Sequence, residues 1–103
     1  MFLKAQGDVL IRQVAVIPGD AKPVERDKGR VILAYGEVTG HAHAINAKLA
    51  QLFLAPAGQH YLLADEPVDL VHEEHETIRI PQGTYEILHQ REYDPENARF
   101  VQD

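Results

Sequence analysis

Short apolar segments recur along the chain at regular spacing, and turn-forming residues separate them. Within each segment, apolar and polar positions alternate or form a brief continuous run, as is typical of β-strands. About eight strands with this spacing indicate a small antiparallel β-barrel or β-sandwich. The sequence therefore predicts an all-β fold whose strands lie in the segments 9–17, 30–35, 41–43, 47–54, 59–65, 68–72, 76–80 and 84–93.

Three segments carry further expectations. The segment 9–17 is apolar at both alternating sets of positions, which predicts a strand that is covered on both sides. The segment 47–54 has three apolar residues at helical spacing, but Pro56 follows so closely that we favour a strand. Residues 20–29 are charged and contain proline and glycine, which predicts an exposed, mobile loop. The expected core consists of Ile11, Val14, Val16, Ile32, Leu33, Leu52, Leu62, Leu70, Ile78, Ile80 and Ile87.

The segments 76–80 and 84–93 are predicted to form a hairpin around a four-residue loop. A register that places the apolar residues of both strands on one face is favoured, because a slip of one residue would expose one set. This register places three pairs opposite one another: Ile80 and Tyr85, Ile78 and Ile87, and Glu76 and His89.

Length and composition limit the classes of function. A chain of 103 residues is expected to form one domain, residues 1–103. The net charge of −6 argues against an extended nucleic-acid surface, although a short phosphodiester could still be a substrate. The chain has no cysteine, which excludes thiolate ligands and thiol nucleophiles. It also lacks a signal peptide or an apolar stretch of membrane-spanning length, so we expect a cytoplasmic protein without a membrane partner.

Histidines grouped with acids form the most distinctive chemical pattern. Imidazole binds transition metals and transfers protons near neutral pH, so such groups indicate a polar site. Five of the six histidines lie in three clusters, which are His41-Ala42-His43, His72-Glu73-Glu74-His75 and His89.

The two-residue spacing of His41 and His43 places both imidazoles on one face of a strand. A strand can offer two nitrogens to one metal ion in this way, and Gly36 and Gly40 would allow the backbone to bend toward a cavity. The alternative is an edge strand whose two rings are solvated.

The other candidate residues also have two interpretations. His72 and His75 fall on opposite faces of a strand but on the same face of a helical turn, and we expect at most one of them to join a site. His89 lies on an apolar face, where it is either a ligand oriented by Glu76 or a hydrogen-bonded core residue. His60 is the weakest candidate. Arg91 and Tyr93 could supply a cation and a proton donor beside His89, or form a structural pair and a terminal turn.

Two resemblances accompany these motifs. The strings GEVTGHAHAI and HEEHETIRIPQGTYEILHQREYDPE are similar to those of a group of small uncharacterised bacterial and phage proteins, a resemblance that implies no activity. His41-x-His43, Pro81-x-Gly83 and His89 resemble the two motifs of cupins, which are small metal-binding β-barrels. That resemblance implies His41, His43 and His89 as metal ligands. The sequence departs from the cupin pattern in two ways: no glutamate follows His43 at the cupin spacing, and His89 lies further beyond Pro-x-Gly than the histidine of cupins does.

Three functions from different classes are compatible with these residues. The favoured one is a metal-dependent hydrolase or oxidase-type enzyme that uses Zn²⁺, Fe²⁺, Mn²⁺ or Ni²⁺ and acts on a small molecule or short phosphodiester. The second is metal-free acid–base cleavage of a phosphodiester such as RNA, and the third is a non-enzymatic binding or assembly module, for example a homo-oligomer. The candidate catalytic residues are His41, His75, His89, Glu76, Arg91 and Tyr93, and the candidate metal ligands are His41, His43, His75 and His89.

Overall fold

The computed structural model describes residues 1–36 and 38–89, together with the backbone of two short strands further along the chain. Every regular element in this part of the chain is a β-strand, so the predicted all-β class is confirmed. The strands are β1 (Leu3–Gln6), β2 (Val9–Gln13), β3 (Lys22–Pro23), β4 (Val31–Tyr35), β5 (Ala42–Ile45), β6 (Ala50–Leu54), β7 (His60–Ala64), β8 (Val68–Val71), β9 (Ile78–Ile80), β10 (Gly83–His89), β11 (Tyr93–Asp94) and β12 (Arg99–Phe100).

Two antiparallel sheets form the body of the molecule. The larger sheet has six strands in the order β1-β2-β10-β7-β6-β3, and the smaller has four in the order β4-β5-β8-β9. Each described sheet has two free edges, so the architecture is an open sandwich rather than a closed barrel. Among the described residues, no helix has the length and apolar character that a membrane crossing requires.

The core lies between the two sheets and follows the alternation of the strands. Val9 and Ile11 of β2 are buried, whereas the intervening Leu10 is only half-buried. The prediction that this strand is covered on both sides is therefore wrong. Val16 was expected in the core, but β2 ends at Gln13 and the Val16 side chain is 70% exposed. Most of the other predicted core residues are buried, namely Ile11, Leu33, Leu52, Leu62, Leu70, Ile80 and Ile87, whereas Val14, Ile32 and Ile78 are half-buried.

The predicted hairpin between β9 and β10 is wrong. β9 pairs with β8 in the smaller sheet, whereas β10 lies in the middle of the larger sheet between β2 and β7. His89 therefore faces Val9 rather than Glu76. Ile80 and Tyr85 do both reach the common core, but from opposite sheets. The alternating pattern determines which face of a strand is buried, and it does not determine which strand lies beside it.

Three connections bring polar residues to the same region of the sandwich. The first is the two-residue turn Gly7-Asp8 between β1 and β2, where Gly7 has a φ of +57° that favours glycine. The second is the loop between β4 and β5, in which the Gly36 N–H donates to the His41 carbonyl at 2.8 Å. The third is the loop 72–77 between β8 and β9.

The segment 20–29 is largely exposed, as predicted, but parts of it are attached to the larger sheet. Lys22 and Pro23 form β3, which pairs with the end of β6. The Arg26 guanidinium donates to the carbonyls of Ala47 at 2.8 Å and Ala50 at 2.7 Å. The guanidinium also donates to the Gly29 carbonyl at 3.0 Å. The mobility of the segment stays a prediction.

Candidate functional site

A polar cavity of about 330 Å³ lies where the three connections meet. Four of the six histidines line it, which makes it the main concentration of imidazoles in the described chain. Asp8 and Glu74 add carboxylates, and Gly7, Gly36 and Val38 also line the wall. We call this the histidine cavity, and its imidazoles belong to His41, His43, His72 and His75.

His43 enters the cavity from β5 with its ring orientation fixed by Gln6. The Gln6 side chain is buried, and its Nε2 donates to the carbonyls of Leu70 at 2.8 Å and Glu76 at 2.9 Å. Because both amide protons are used, the Gln6 Oε1 faces Nδ1 of His43, at 2.8 Å, as an acceptor. Nδ1 must therefore carry a proton, so the neutral ring presents the lone pair of Nε2.

The protonation of His43 follows from its surroundings. The side chain is only 3% exposed, and burial is the main reason why its pKa falls from 6.5 to about 4. A protonated His72 would lower this pKa further, whereas the Asp8 carboxylate, 3.7 Å from Nε2, acts in the opposite direction. His43 is thus a neutral imidazole near physiological pH, which is the form that binds metals.

His41, His72 and Glu73 form the closest group of ligand atoms. One nitrogen of each histidine and one carboxylate oxygen of Glu73 all lie within 4.8 Å of one another. The Glu73 carboxylate is held by the Ala42 N–H, which donates to Oε1 at 2.9 Å and keeps the pKa of Glu73 below its ordinary value. Two nitrogens and an ionised carboxylate oxygen are a set of donors that divalent transition metals use in proteins.

Two glycines pack closely against histidines of the cavity, one against a ring and one against a Cβ and its backbone. A Cβ atom on Gly7 would lie 2.7 Å from Nε2 of His75, so the ring of His75 rests directly on the turn between β1 and β2. A Cβ atom on Gly36 would lie 2.9 Å from the Cβ of His41. A side chain at Gly7 would therefore displace the His75 ring, and one at Gly36 would press on the Cβ and backbone of His41, which explains the glycines at the cavity wall.

The charges around the histidine cavity favour a cation. The Asp8 carboxylate lies 3.7 Å from His43, and the Glu74 carboxylate lies 3.8 Å from Nδ1 of His41. Within the part of the chain that the structure describes, no lysine or arginine lines the cavity. With neutral imidazoles, its potential is therefore negative and suited to a metal ion.

The structure brings together His41, His43 and His75 of the predicted site residues, and it adds His72. At most one of His72 and His75 was expected at the site, whereas both line the histidine cavity, with ring centroids 4.7 Å apart. The loop after β8 turns tightly, with the Glu74 N–H donating to Nδ1 of His72 at 3.0 Å, and this turn unites the two rings. Residues three apart lie on the same side of a tight turn, and the structure agrees with this interpretation of His72 and His75 rather than with a strand.

Of the remaining predicted residues that the structure describes, His89 and Glu76 do not line the histidine cavity. His89 is paired with His60, with ring centroids 6.1 Å apart, in a separate cavity, and its Nε2 lies 3.2 Å from the Leu33 carbonyl. The Glu76 side chain is exposed, and the contribution of this residue is its carbonyl, which accepts from Gln6. Arg91 lies outside the described residues, as does the side chain of Tyr93.

A match to a known protein family covers nearly the same residues as the two sheets. A family model described as a domain of unknown function, DUF8820, matches residues 5–90. The chain belongs to this DUF8820 family. No curated protein and no solved structure matches the chain. The resemblance to a group of small uncharacterised proteins is thus confirmed at the level of the family, whereas the cupin resemblance is not confirmed.

The DUF8820 match includes every described residue that lines the histidine cavity, from Gly7 to His75. It also includes Gln6, which orients His43, and the strands β2 to β10. The cavity is therefore part of the DUF8820 domain itself rather than of a segment appended to it.

The lowered pKa of His43 predicts that acid destabilises the DUF8820 domain. The pKa is about 4 in the folded state and near 6.5 when the chain unfolds, so the unfolded chain binds more protons between these values. The His43 contribution to the free energy of unfolding is fully present above about pH 6.5 and is lost as the pH falls toward 4. The loss amounts to about 3 kcal/mol or less.

Urea denaturation with EDTA present, at a series of pH values, measures this contribution. The free energy of unfolding should fall more steeply between neutral pH and pH 4.5 in the wild type than in His43→Gln, whose side chain does not titrate. Equal pH dependence in the two proteins would contradict the assignment.

Proposed function

We propose that a divalent transition metal ion binds through His41 and His72, which line the histidine cavity, and through the neighbouring Glu73, and that the bound ion activates water for hydrolysis. The observation that carries the proposal is the convergence of two imidazole nitrogens and one carboxylate oxygen within 4.8 Å of one another. Three protein ligands leave a coordination position open for water or substrate, as in catalytic zinc sites.

The backbone around the ligands supports this assignment. The Ala42 N–H holds one oxygen of Glu73 and leaves the second oxygen for coordination. Glu74 lies near Nδ1 of His41, so a proton on that nitrogen would face a carboxylate and Nε2 would remain to bind the ion. The Nδ1 of His72 accepts the Glu74 N–H in an exposed hydrogen bond, which His72 must exchange for the metal. An exposed bond contributes little net stability, so this exchange costs little.

The chemistry of this ligand set suits hydrolysis. A zinc ion with two histidines and a glutamate lowers the pKa of its bound water to about 7, which generates hydroxide near neutral pH. The exposed Glu74 carboxylate lies at the cavity wall, where it could accept the proton that this water releases. The substrate would be a small molecule or a short phosphodiester, because the cavity has a volume of only about 330 Å³.

The metal-free alternative has less support. Acid–base cleavage of a phosphodiester needs a base that titrates near neutral pH and a cation for the developing negative charge. His43 has a pKa of about 4, which makes it a weak base. Carboxylates line the cavity, and no described lysine or arginine does so. A metal ion would supply the positive charge that the described residues do not.

Zinc binding and hydrolysis can be tested on protein purified without a histidine tag and stripped with EDTA. We expect calorimetry to detect zinc binding, and zinc to be required for hydrolysis of p-nitrophenyl acetate or bis(p-nitrophenyl) phosphate. Glu73→Gln should weaken zinc binding by about 10-fold or more and reduce hydrolysis at least as much, because it removes a charged ligand.

Glu25→Gln is the matched control, since Glu25 is an exposed glutamate that lines a different cavity. It should leave both properties unchanged. Absence of zinc binding by the wild type would refute the proposed function, whereas binding without zinc-dependent hydrolysis would refute only the enzymatic part.

A further inference from the structure

We propose that the histidine cavity selects small substrates that carry a protonated amine, whose ammonium group donates to Nε2 of His43 and to the carboxylate of Asp8. This inference rests on the proposed function, because it names the class of substrate that the hydrolytic site would take. It uses two residues of the cavity wall that are not among the proposed metal ligands. His43 belongs to β5, and Asp8 to the turn between β1 and β2.

The hydrogen bonds of Gln6 determine which nitrogen of His43 can accept a proton. Nδ1 donates to Oε1 of Gln6 at 2.8 Å, so the neutral ring presents a lone pair on Nε2. The His43 side chain is only 3% exposed. Among the described residues, however, every fully buried side-chain nitrogen or oxygen has a hydrogen-bond partner, and Nε2 has none among them. Nε2 is therefore part of the small surface that His43 presents to the cavity.

The Asp8 carboxylate lies next to this acceptor. Its Oδ1 is 3.7 Å from Nε2 of His43, and one ammonium nitrogen can lie about 2.8 Å from both atoms. An ammonium group has three protons and no lone pair, so it can donate to both at once. A carboxylate or phosphate on the substrate would find no donor in this pair and would be repelled by Asp8. We call Nε2 of His43 and Oδ1 of Asp8 the ammonium subsite.

The charge of the cavity wall favours the same class of ligand. Asp8 and Glu74 line the cavity, and no lysine or arginine of the described chain does so. A metal ion of charge +2 at the proposed ligands would be offset by the carboxylates of Glu73 and Glu74. The charge of Asp8 would then remain for a cation on the substrate.

The ammonium subsite lies close to the proposed metal ligands. The ring centroid of His43 is 4.4 Å from that of His72, which is one of those ligands. A molecule of few atoms can therefore reach both the subsite and the ion. Small amides and esters whose amine lies within a few bonds of the carbonyl, such as derivatives of amino acids, have this arrangement.

Binding of two matched probes to the metal-free protein tests the ammonium subsite independently of zinc. L-Alaninamide is mostly protonated at about pH 7, whereas L-lactamide has a neutral hydroxyl in place of the ammonium group. With EDTA present, nuclear magnetic resonance titration should give an affinity for alaninamide at least about 10-fold higher than for lactamide. The ¹⁵N chemical shift of Nε2 of His43 should change as alaninamide binds.

Two aspartate variants complete this experiment. In Asp8→Asn, which retains the size of the turn residue, the affinities for the two probes should agree within about threefold, because the charged acceptor is lost. Asp20→Asn is the same change at an exposed position outside the cavity and should retain the wild-type preference. If Asp8→Asn proves unstable, the comparison of the two probes on the wild type still decides the proposal.

Hydrolysis by the zinc-loaded protein tests the substrate class. We expect kcat/KM for L-alanine p-nitroanilide to exceed that for N-acetyl-L-alanine p-nitroanilide, which has no ammonium group, by at least about 10-fold. Asp8→Asn should lose most of this preference. Similar kcat/KM values for the two substrates in the wild type would overturn the assigned class.

The outcomes separate this inference from the proposed function. Equal affinity of the wild type for alaninamide and lactamide would overturn the ammonium subsite, whether or not zinc binds. A preference for alaninamide that persists in Asp8→Asn would overturn the role of Asp8. Absence of zinc-dependent hydrolysis, with a preference for alaninamide that Asp8→Asn abolishes, would refute the enzymatic function and support the subsite as a binding site for amines.

Discussion

His72→Ala should lower the affinity for zinc by at least about 100-fold, because loss of a direct ligand should exceed the 10- to 100-fold effect of losing an outer-shell partner. His72 belongs to the closest ligand group, and its ring contacts those of His41, His43 and His75. The side chain is half-buried at the cavity wall, so its removal should change the stability of the metal-free protein little. Calorimetry with zinc measures the affinity, and urea denaturation with EDTA measures the stability.

His60→Ala and His89→Ala are the matched controls for this experiment. Both histidines are half-buried, and they lie together in a separate cavity. Neither substitution should change zinc affinity by more than about twofold, since neither residue belongs to the proposed ligand group. Equal zinc affinity in His72→Ala and His60→Ala would contradict the assignment of the ligands.

Gln6→Leu is expected to destabilise the metal-free protein by about 3 kcal/mol, because it removes the partner of several polar groups at a buried position. Those groups are the Nδ1–H of His43 and the carbonyls of Leu70 and Glu76. The same substitution releases the ring of His43, so Nε2 is no longer fixed as the nitrogen that carries the lone pair. Urea denaturation with EDTA measures the first effect, and the ¹⁵N chemical shifts of His43 report the second.

Gln51→Leu provides the comparison for Gln6→Leu. The Gln51 side chain also donates to two carbonyls, those of Val24 and Leu52, but it is half-buried and lies outside the lining of the histidine cavity. We expect a smaller loss of stability and unchanged His43 chemical shifts. An unchanged His43 tautomer in Gln6→Leu would contradict the role assigned to Gln6.

Local patterns in the sequence predicted the elements of the fold better than their arrangement. Alternating apolar positions identified segments that contain β2, β4, β6, β7, β8, β9 and β10. The same patterns did not predict that β10 lies between β2 and β7, because strand pairing depends on distant segments. The predicted extension of β2 to Ile17 was wrong for a different reason. Apolar residues also occur on protein surfaces, and Val16 is one of them.

The candidate site was predicted in part. The two-residue spacing of His41 and His43 predicted one shared pocket, and both residues do line the histidine cavity. The inclusion of His72 depends on the tight turn after β8, and the separation of His89 depends on the pairing of β10. Gln6 was missed because its only distinctive property is the set of groups around it, which come from β5, β8 and the loop 72–77.

Anomalous diffraction from crystals soaked in zinc tests the central claim most directly. Data collected on both sides of the zinc absorption edge should give a peak in the histidine cavity, about 2.0 to 2.2 Å from a nitrogen of His41, a nitrogen of His72 and an oxygen of Glu73. A zinc peak confined to the His60–His89 pair or to the protein surface, with none in the histidine cavity, would contradict the claim.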